Sequence, residues 1–284
     1  DFDPVVQKRI NRIQPFEQTR DLIESARRLG FVSVNVDLMY GLPLQTTERF
    51  AKTLDHVAAL RPDRIALFGY AHMPTLRLHQ SVFRKDELPD AKTRAALFEL
   101  SLQRLLELGY VYVGLDHFVL PQDELLSARE QGQLRRNFMG YTTCKSSDVL
   151  AFGPSSISEL GAHYLQNERE VTSYCDRVLS GALPVVRGYS LDPDDVIRRD
   201  LIMELLCNLV VDKRVLSDRY GIDFDRYFAS ELTALAPLIA DGLCGWNGDR
   251  LHILLPGQLL LRTVASIFDA TLHKPAPRHH AAAV

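Results

Sequence analysis

Residues 35–46 read NVDLMYGLPLQT, an apolar run that carries one acid, Asp37, and ends in Tyr40-Gly41-Leu42-Pro43. Together with the four preceding residues, the run predicts a strand of a parallel sheet, which is usually buried on both faces. A carboxylate is costly to bury without a partner. Asp37 therefore has two explanations: a structural arginine or helix cap pairs with it, or a polar ligand binds at the end of the strand.

Amphipathic helices alternate with apolar strands around this segment. Helices are predicted over residues 16–29, 46–60 and 90–108, and strands over 31–42, 64–73 and 110–118. Such alternation indicates an α/β fold with a parallel sheet and right-handed crossovers. Three strands are too few for a closed barrel, so we expect earlier units of the same kind upstream of Asp1.

The pattern changes after residue 120. A short helix and a polar, strand-containing stretch follow, and Asp192-Pro193-Asp194-Asp195 then predicts a helix start. Asn247-Gly248 predicts a β-hairpin. We divide the chain into the last α/β units (1–120), a connecting segment that covers a cleft (121–188), and a helical C-terminal domain with a disordered tail (189–284, the tail being 274–284).

Composition excludes several classes of function. The formal net charge is −3, which gives no basic field for nucleic acid, and no apolar run is long enough to span a membrane. The sequence has four widely spaced cysteines and no Cys-x-x-Cys pair, so neither a disulfide framework nor a metal site is indicated. We expect a cytoplasmic protein without nucleic-acid or membrane partners.

Polar and aromatic residues follow each predicted strand. Besides Asp37, the second strand ends in Tyr70-Ala71-His72 and the third in Asp116-His117. Enzymes with parallel α/β folds place active sites at the carboxyl ends of their strands. A lone histidine there is more often structural than catalytic, but three such ends together favour a site.

Six motifs, taken together, resemble one protein family. They are DLMYGLPLQT (37–46), FGYAHMPT (68–75), GLDHF followed by LPQDEL (114–125), RNFMGYTT (136–143), FGPSSIS (152–158) and RRDLIMELLCN (198–208). They resemble the oxygen-independent coproporphyrinogen III oxidases, which are radical S-adenosylmethionine enzymes of haem biosynthesis. The resemblance is to the C-terminal portion of that family, without the segment that binds the cluster.

The resemblance implies a fold and an activity. The fold would be the C-terminal part of a partial (β/α) TIM-like radical-SAM barrel, followed by a mainly helical domain with a β-hairpin. The activity would be oxidative decarboxylation of two propionate side chains of coproporphyrinogen III to vinyl groups, giving protoporphyrinogen IX, by a 5'-deoxyadenosyl radical. Two S-adenosylmethionine molecules, a [4Fe-4S] cluster in the full-length protein, an electron donor, an unknown electron acceptor and a monomeric state are implied.

The resemblance also implies site residues. Arg12, Asp37 and Ala71 correspond to contacts of one S-adenosylmethionine, and Ile157 to a contact of a second. No catalytic residue is assigned, and no residue of this chain is assigned to metal, because the cluster cysteines are expected upstream of Asp1. This chain alone is therefore expected to be inactive. Met139 departs from the family, which usually has glutamine there.

Two other classes are alternatives. A radical-SAM haem chaperone shares the DLMYGLPLQT motif but has no good counterpart of RNFMGYTT. A non-catalytic winged-helix-like binding protein would explain the C-terminal helices and hairpin. Such a module needs a basic recognition face, whereas residues 223–245 contain four acids and a single Arg226.

Overall fold

A computed structural model describes residues 1–144 and 148–273 of the chain. These residues form two compact units, 1–126 and the remainder from Ser127 onward. The three-segment division made from the sequence stays a prediction, and the tail predicted to be disordered lies outside the described residues. Among the described residues, no helix combines the length and the hydropathy needed to cross a membrane.

The first unit alternates helices and strands. Its elements are α1 (Pro4–Arg9), α2 (Phe16–Arg28), β1 (Asn35–Tyr40), α3 (Thr47–Leu60), β2 (Arg64–Gly69), α4 (Ala91–Glu107), β3 (Val111–Gly114), β4 (His117–Val119) and α5 (Glu124–Glu130), the last of which runs past residue 126. Two short 3-10 turns, Leu78–Val82 and Lys85–Glu87, lie between β2 and α4. The predicted helices of this unit are confirmed.

Local caps set the ends of these helices. The Thr46 hydroxyl accepts from the Arg49 amide at 3.3 Å, and the Asp90 carboxylate accepts from the Thr93 amide at 2.8 Å. These side chains satisfy amides that have no partner within the helix. Gly109 follows α4 with a φ of 85°, a left-handed conformation that favours glycine at the end of a helix.

The sheet of the first unit has the order β1-β2-β4-β3. Strands β1 and β2 are parallel, as predicted. The prediction of a single third strand over 110–118 is wrong, because this segment forms the antiparallel hairpin β3–β4. Leu115 has a left-handed φ of 54° and reverses the chain between two strands that are both apolar, so the sequence reads as continuous.

One face of this sheet packs against helices. Leu38, Ile65, Leu67 and Phe118 of the sheet join α3 and α4 in a single buried cluster. The residues of β1 that alternate with this face, Asn35, Asp37 and Met39, are exposed. The expectation that β1 is buried on both faces is therefore wrong for the described residues.

The second unit combines short sheets with helices. Its elements are β5 (Arg135–Asn137), β6 (Gly140–Thr142), β7 (Ile157–Leu160), β8 (His163–Asn167), α6 (Val171–Leu179), β9 (Val185–Ser190), α7 (Pro193–Asn208), β10 (Val210–Asp212), α8 (Lys213–Tyr220), α9 (Phe224–Tyr227), α10 (Ala229–Ala240), β11 (Cys244–Asn247), β12 (Arg250–Ile253), α11 (Leu255–Leu259) and α12 (Leu261–Ser266). Its sheets are β5-β6, β7-β8-β9 and β10-β12-β11, all antiparallel.

Two predictions in this unit are confirmed. Asp192 and Asp195 form a reciprocal capping box at the start of α7, and β11 and β12 form the hairpin around Asn247-Gly248. The single last helix predicted over 259–272 is wrong. Helix α12 ends at Ser266. Beyond it, the Asp269 carboxylate accepts from the Thr271 amide at 2.9 Å. Such local side-chain bonds compete with helix formation.

Candidate functional site

Asp37 lies on the exposed face of the first sheet. It pairs with Ala66 on β2, and Ala66 pairs with His117 on β4, so the three side chains share one level and one face. The Asp37 carboxylate accepts one hydrogen bond, from Asn35 Nδ2 at 2.7 Å. No arginine or helix terminus within the described residues pairs with it. The structural explanation for this acid is therefore not realised, and the carboxylate remains available to a ligand.

The Gly-Leu-Pro corner after β1 is held by Gln45. The buried Gln45 Oε1 accepts from the amides of Gly41 at 2.6 Å and Leu42 at 3.2 Å, and Nε2 donates to the Met39 carbonyl at 3.0 Å. Gly41 has a φ of 82°, and a Cβ there would lie 3.5 Å from the Arg94 side chain. The corner is thus fixed by backbone conformation and by one amide side chain.

Ala71 lies in the loop that leaves β2. Its carbonyl accepts from Gln80 Nε2 at 3.1 Å, and Gln80 Oε1 accepts from the Met73 amide. Gln80 is buried, while Ala71 itself is exposed. The loop backbone next to Ala71 is therefore held in place by a side chain from the following 3-10 turn.

The residues before and after Ala71 in the sequence each carry a buried polar side-chain atom. Tyr70 Oη and His72 Nδ1 have no hydrogen-bond partner among the described residues, and burial raises the pKa of Tyr70. Buried polar groups in native proteins are nearly always paired. Their position at the carboxyl end of β2 fits a polar ligand such as S-adenosylmethionine, which offers amino, carboxylate, hydroxyl and adenine groups.

Arg12 is exposed in the turn after α1. The Arg12 amide donates to the Gln7 carbonyl at 2.9 Å, and the buried Gln7 side chain exchanges two hydrogen bonds with the Gln14 backbone. The helix before this turn is anchored by Arg9, whose Nε and Nη2 bond to Glu87 at 3.0 and 2.6 Å. The Arg12 guanidinium makes no ion pair within the described residues.

The structure brings some predicted residues together and not others. Strands β1 and β2 are parallel, so both end on the same side of the sheet, but Asp37 pairs with Ala66 in the middle of β2, whereas Ala71 follows the end of that strand. A common site for Asp37 and Ala71 stays a prediction. His117 lies at the level of Asp37 but comes from an antiparallel strand, so the expectation of three parallel strand ends is wrong. Arg12 belongs to the same unit.

Ile157 and Met139 lie in the second unit. Ile157 is the half-buried first residue of β7 and pairs with Gln166. Met139 is in the turn between β5 and β6 and is 89% exposed, with its amide donating to Asn137 Oδ1 at 2.8 Å. The glutamine of the family would therefore stand on an exposed turn.

Sequence reasoning missed the buried glutamines Gln7, Gln45 and Gln80. Each binds the backbone beside one proposed contact: Gln7 beside Arg12, Gln45 beside the end of β1, and Gln80 beside Ala71. Gln45 had a signal, because it is part of the DLMYGLPLQT motif. The other two had none, since their roles depend on backbone atoms that only the folded chain leaves unpaired.

The cysteines of this chain do not fit an iron–sulfur cluster. Cys144 and Cys175 are exposed, while Cys207 and Cys244 are buried, and all four are free. Burial raises the pKa of Cys207 to about 12, which disfavours the thiolate that a cluster requires. Within residues 1–144 and 148–273, no group of three His, Cys, Asp or Glu side chains is placed to hold a metal ion.

A partly parallel sheet with an exposed acid, followed by a unit of helices and short antiparallel sheets, defines an α/β protein with a candidate ligand site. Comparison with known proteins narrows the class. Residues 191–260 match the HemN C-terminal domain family. The chain is 41% identical over its whole length to the oxygen-independent coproporphyrinogen III oxidase of Thermostichus vulcanus, covering 88% of that protein. It is 41% identical to the enzyme of the same name from Pseudomonas aeruginosa over 96% of the chain.

A solved structure is similar to this chain in both fold and sequence. The coproporphyrinogen III oxidase HemN from Escherichia coli, described as a radical SAM enzyme, matches 95% of this chain with a TM-score of 0.92 and 40% identity. The chain belongs to the oxygen-independent coproporphyrinogen III oxidase family. The predicted fold class is therefore confirmed, and the comparisons favour neither the haem chaperone nor the winged-helix alternative.

The length of the match differs between relatives. The chain spans 59% of the Pseudomonas aeruginosa protein and 62% of the Escherichia coli structure.

Proposed function

We propose that this protein takes part in the oxidative decarboxylation of two propionate side chains of coproporphyrinogen III, which gives protoporphyrinogen IX in haem biosynthesis. The observation that carries the proposal is the similarity to named oxidases over the whole chain, at 41% identity. The proposal needs a polar cofactor, and the exposed Asp37 together with the unpaired atoms of Tyr70 and His72 supports one.

Membership of this family implies S-adenosylmethionine and an iron–sulfur cluster as cofactors. We further propose two S-adenosylmethionine molecules and a [4Fe-4S] cluster. When bound and reduced by one electron, S-adenosylmethionine would supply the radical chemistry for removal of a hydrogen atom from a propionate. Each side chain then loses CO2 and one electron to become a vinyl group. Because the cysteines of the described residues do not fit a cluster, we assign none of them to this chemistry.

The residues of the first unit have separate binding roles in this proposal. Arg12 binds a carboxylate of the cofactor through its planar guanidinium. Asp37 accepts hydrogen bonds from ribose hydroxyls or an amino group. Ala71 contacts adenine through its backbone, which Gln80 holds in place. In the second unit, Ile157 supplies an apolar contact to the second cofactor molecule.

The remaining partners follow from the reaction. Removing an electron from each side chain requires an electron acceptor, and cleavage of the cofactor requires an electron donor. We propose that both are separate from this chain, and that the protein acts as a monomer in the cytoplasm.

An anaerobic assay tests the function. The protein, as its native gene encodes it, is reconstituted with iron and sulfide and incubated with coproporphyrinogen III, S-adenosylmethionine and a one-electron reductant. Chromatography of the oxidised porphyrins is expected to reveal protoporphyrin. Binding of haem without any protoporphyrin would favour the chaperone instead. The absence of both protoporphyrin and haem binding would reject the assignment to porphyrin chemistry.

A further inference from the structure

A cavity of about 450 Å³ lies within the second unit. It is bordered by the β5–β6 hairpin, by β7 and by α7, and its size lies in the range of small-molecule sites. Four arginines and four acids line it. The arginines are Arg135, Arg136, Arg199 and Arg219.

Two arginines are already engaged by one acid. Asp200 accepts from Arg199 at 3.2 Å and from Arg219 at 3.5 Å, and it also accepts from the Tyr220 hydroxyl. Arg199 donates in addition to the Gly161 carbonyl at 2.8 Å. These groups therefore form a structural network at one side of the cavity.

The other acids that line the cavity are occupied or less inclined to carry charge. Asp148 accepts from the Gly161 amide at 2.8 Å, and Glu204 accepts from Asn208 at 2.7 Å. Burial raises the pKa of Glu159. The ion pairs of the cavity arginines within the described residues go to Asp200, so Glu159 and Glu204 do not neutralise Arg135 or Arg136 by contact.

Arg135 and Arg136 are left without a carboxylate partner in the described part of the chain. Arg136 Nε is buried and makes no hydrogen bond, and its guanidinium carbon lies 5.5 Å from the centre of the Tyr141 ring. Within the described residues, the Arg135 guanidinium donates to the Leu134 carbonyl, at 3.1 Å, and to no carboxylate. A buried guanidinium nitrogen without an acceptor is costly, and a ligand carboxylate would satisfy it.

We propose that Arg136 binds an alkyl carboxylate in this cavity. This inference rests on the proposed function, which supplies two sources of that group: the propionates of the porphyrinogen and the amino-acid end of S-adenosylmethionine. The planar guanidinium of Arg136 suits a carboxylate, because it forms paired charge-assisted hydrogen bonds. Arg135, its exposed neighbour on β5, leaves the strand on the opposite face.

Binding measurements without turnover test the site. Calorimetry is performed with coproporphyrin III, with its tetramethyl ester, and with S-adenosylhomocysteine. Coproporphyrin III keeps the propionates, the ester blocks them, and S-adenosylhomocysteine carries the amino-acid carboxylate. The variants are Arg136→Gln, Arg135→Gln as its exposed neighbour on the opposite face of β5, and Arg187→Gln on β9 as a matched control outside the cavity. Thermal unfolding verifies that each variant is folded.

Loss of one charged pair is expected to weaken binding about tenfold or more. If Arg136→Gln weakens the binding of coproporphyrin III alone and the ester binds poorly, the site takes a substrate propionate. If only S-adenosylhomocysteine is weakened, it takes the cofactor carboxylate. Unchanged binding of both ligands, equal binding of acid and ester without any effect on S-adenosylhomocysteine, or no binding of either ligand overturns the proposal. The first two of these outcomes leave the proposed decarboxylation intact, because the anaerobic assay measures it separately.

Discussion

Asp37 illustrates how a single residue connects fold and function. Its strand neighbours Val36, Leu38 and Tyr40 pack with the helices, while the carboxylate lies on the other face, where Asn35 is its one hydrogen-bond donor within residues 1–144 and 148–273. An exposed acid of this kind costs little in the free protein. Because the strand already fixes the backbone of Asp37, this residue loses little conformational entropy when a ligand binds.

Glu87 gives the first prediction, which concerns acid stability. Hydrogen bonds from Arg9, and then from the Arg84 backbone, lower the pKa of Glu87 from 4.5 to about 2. Because the folded-state pKa is below the ordinary value, this contribution to the free energy of unfolding is complete above pH 4.5. It is lost as the pH falls towards about 2.

Denaturant unfolding of wild type and Glu87→Gln across this pH window measures the effect. The variant is expected to be less stable above pH 4.5, with the difference shrinking as the solution is acidified. Glu24→Gln, which changes an exposed acid of α2, is the control and is expected to follow wild type. A Glu87→Gln difference that is constant with pH would contradict the assigned pKa.

Among single residues, the sequence pointed to candidate ligand contacts but not to the buried glutamines that hold the backbone beside them. Asp37 stands out because a charge interrupts an apolar run. Gln7 and Gln80 do not stand out, because a glutamine in a polar segment is ordinary until its buried backbone partners are known. Local sequence therefore predicts a residue that is unusual for its element, and misses one that is unusual only in the folded structure.

At the scale of elements, helices were easier to predict than strand boundaries. The helices α2, α3 and α4 follow their apolar period. Thr46 and Asp90 cap the starts of α3 and α4, and Gly30 and Gly109 follow α2 and α4 in left-handed conformations. The β3–β4 hairpin was missed because its turn contains Leu115 in a left-handed conformation, for which leucine is an unusual choice. The last predicted helix was too long because its apolar pattern continues past Asp269, whose side chain bonds locally.

Helix α11 gives the second prediction. A Cβ added at Gly257 would lie 1.8 Å from the Leu243 carbonyl oxygen and 2.7 Å from its carbonyl carbon. Because both are backbone atoms, the helix or the start of β11 must move. Gly257→Ala is expected to lower the free energy of unfolding by about 3 kcal/mol or more, at the high end of overpacking costs.

Urea unfolding compares this variant with Gly245→Ala on β11. There an added Cβ meets only a leucine methyl, at 4.0 Å, so a change of less than about 1 kcal/mol is expected for this surface-like substitution. Equal stability of the two variants would refute the close approach of α11 to Leu243.

At the scale of the whole molecule, sequence motifs predicted the family, whereas the order of predicted helices and strands did not define the fold. Three visible strands did not define a complete fold, but motifs spread from residue 37 to residue 208 did indicate the family. The contact-defined boundary near residue 126 has no strong signal in sequence, because it falls inside the helix α5. Composition and periodicity describe elements well, yet they do not reveal which elements share a core.

The four cysteines give the third prediction, which concerns the whole chain. Cys144 and Cys175 are exposed and Cys207 and Cys244 are buried, and burial raises the pKa of both buried thiols. Since the thiolate is the reactive form, an aromatic disulfide reagent near neutral pH is expected to label two thiols rapidly. Denaturation should expose the other two. Rapid labelling of all four in the folded protein would contradict the described burial.

The central claim is that the exposed face of the first sheet binds S-adenosylmethionine. The most direct test is the affinity of the Asp37→Asn variant for S-adenosylmethionine. The measurement is equilibrium dialysis of labelled S-adenosylmethionine against anaerobically purified protein, with Asp21→Asn on α2 as a matched loss of one carboxylate. Asparagine keeps the shape but removes the charge and acceptor strength that hold ribose hydroxyls or an amino group.

We predict that Asp37→Asn weakens binding about tenfold or more, while Asp21→Asn binds as wild type does. Wild-type affinity in a folded Asp37→Asn protein would contradict the account, because the acid on this sheet face would then have no part in holding the cofactor.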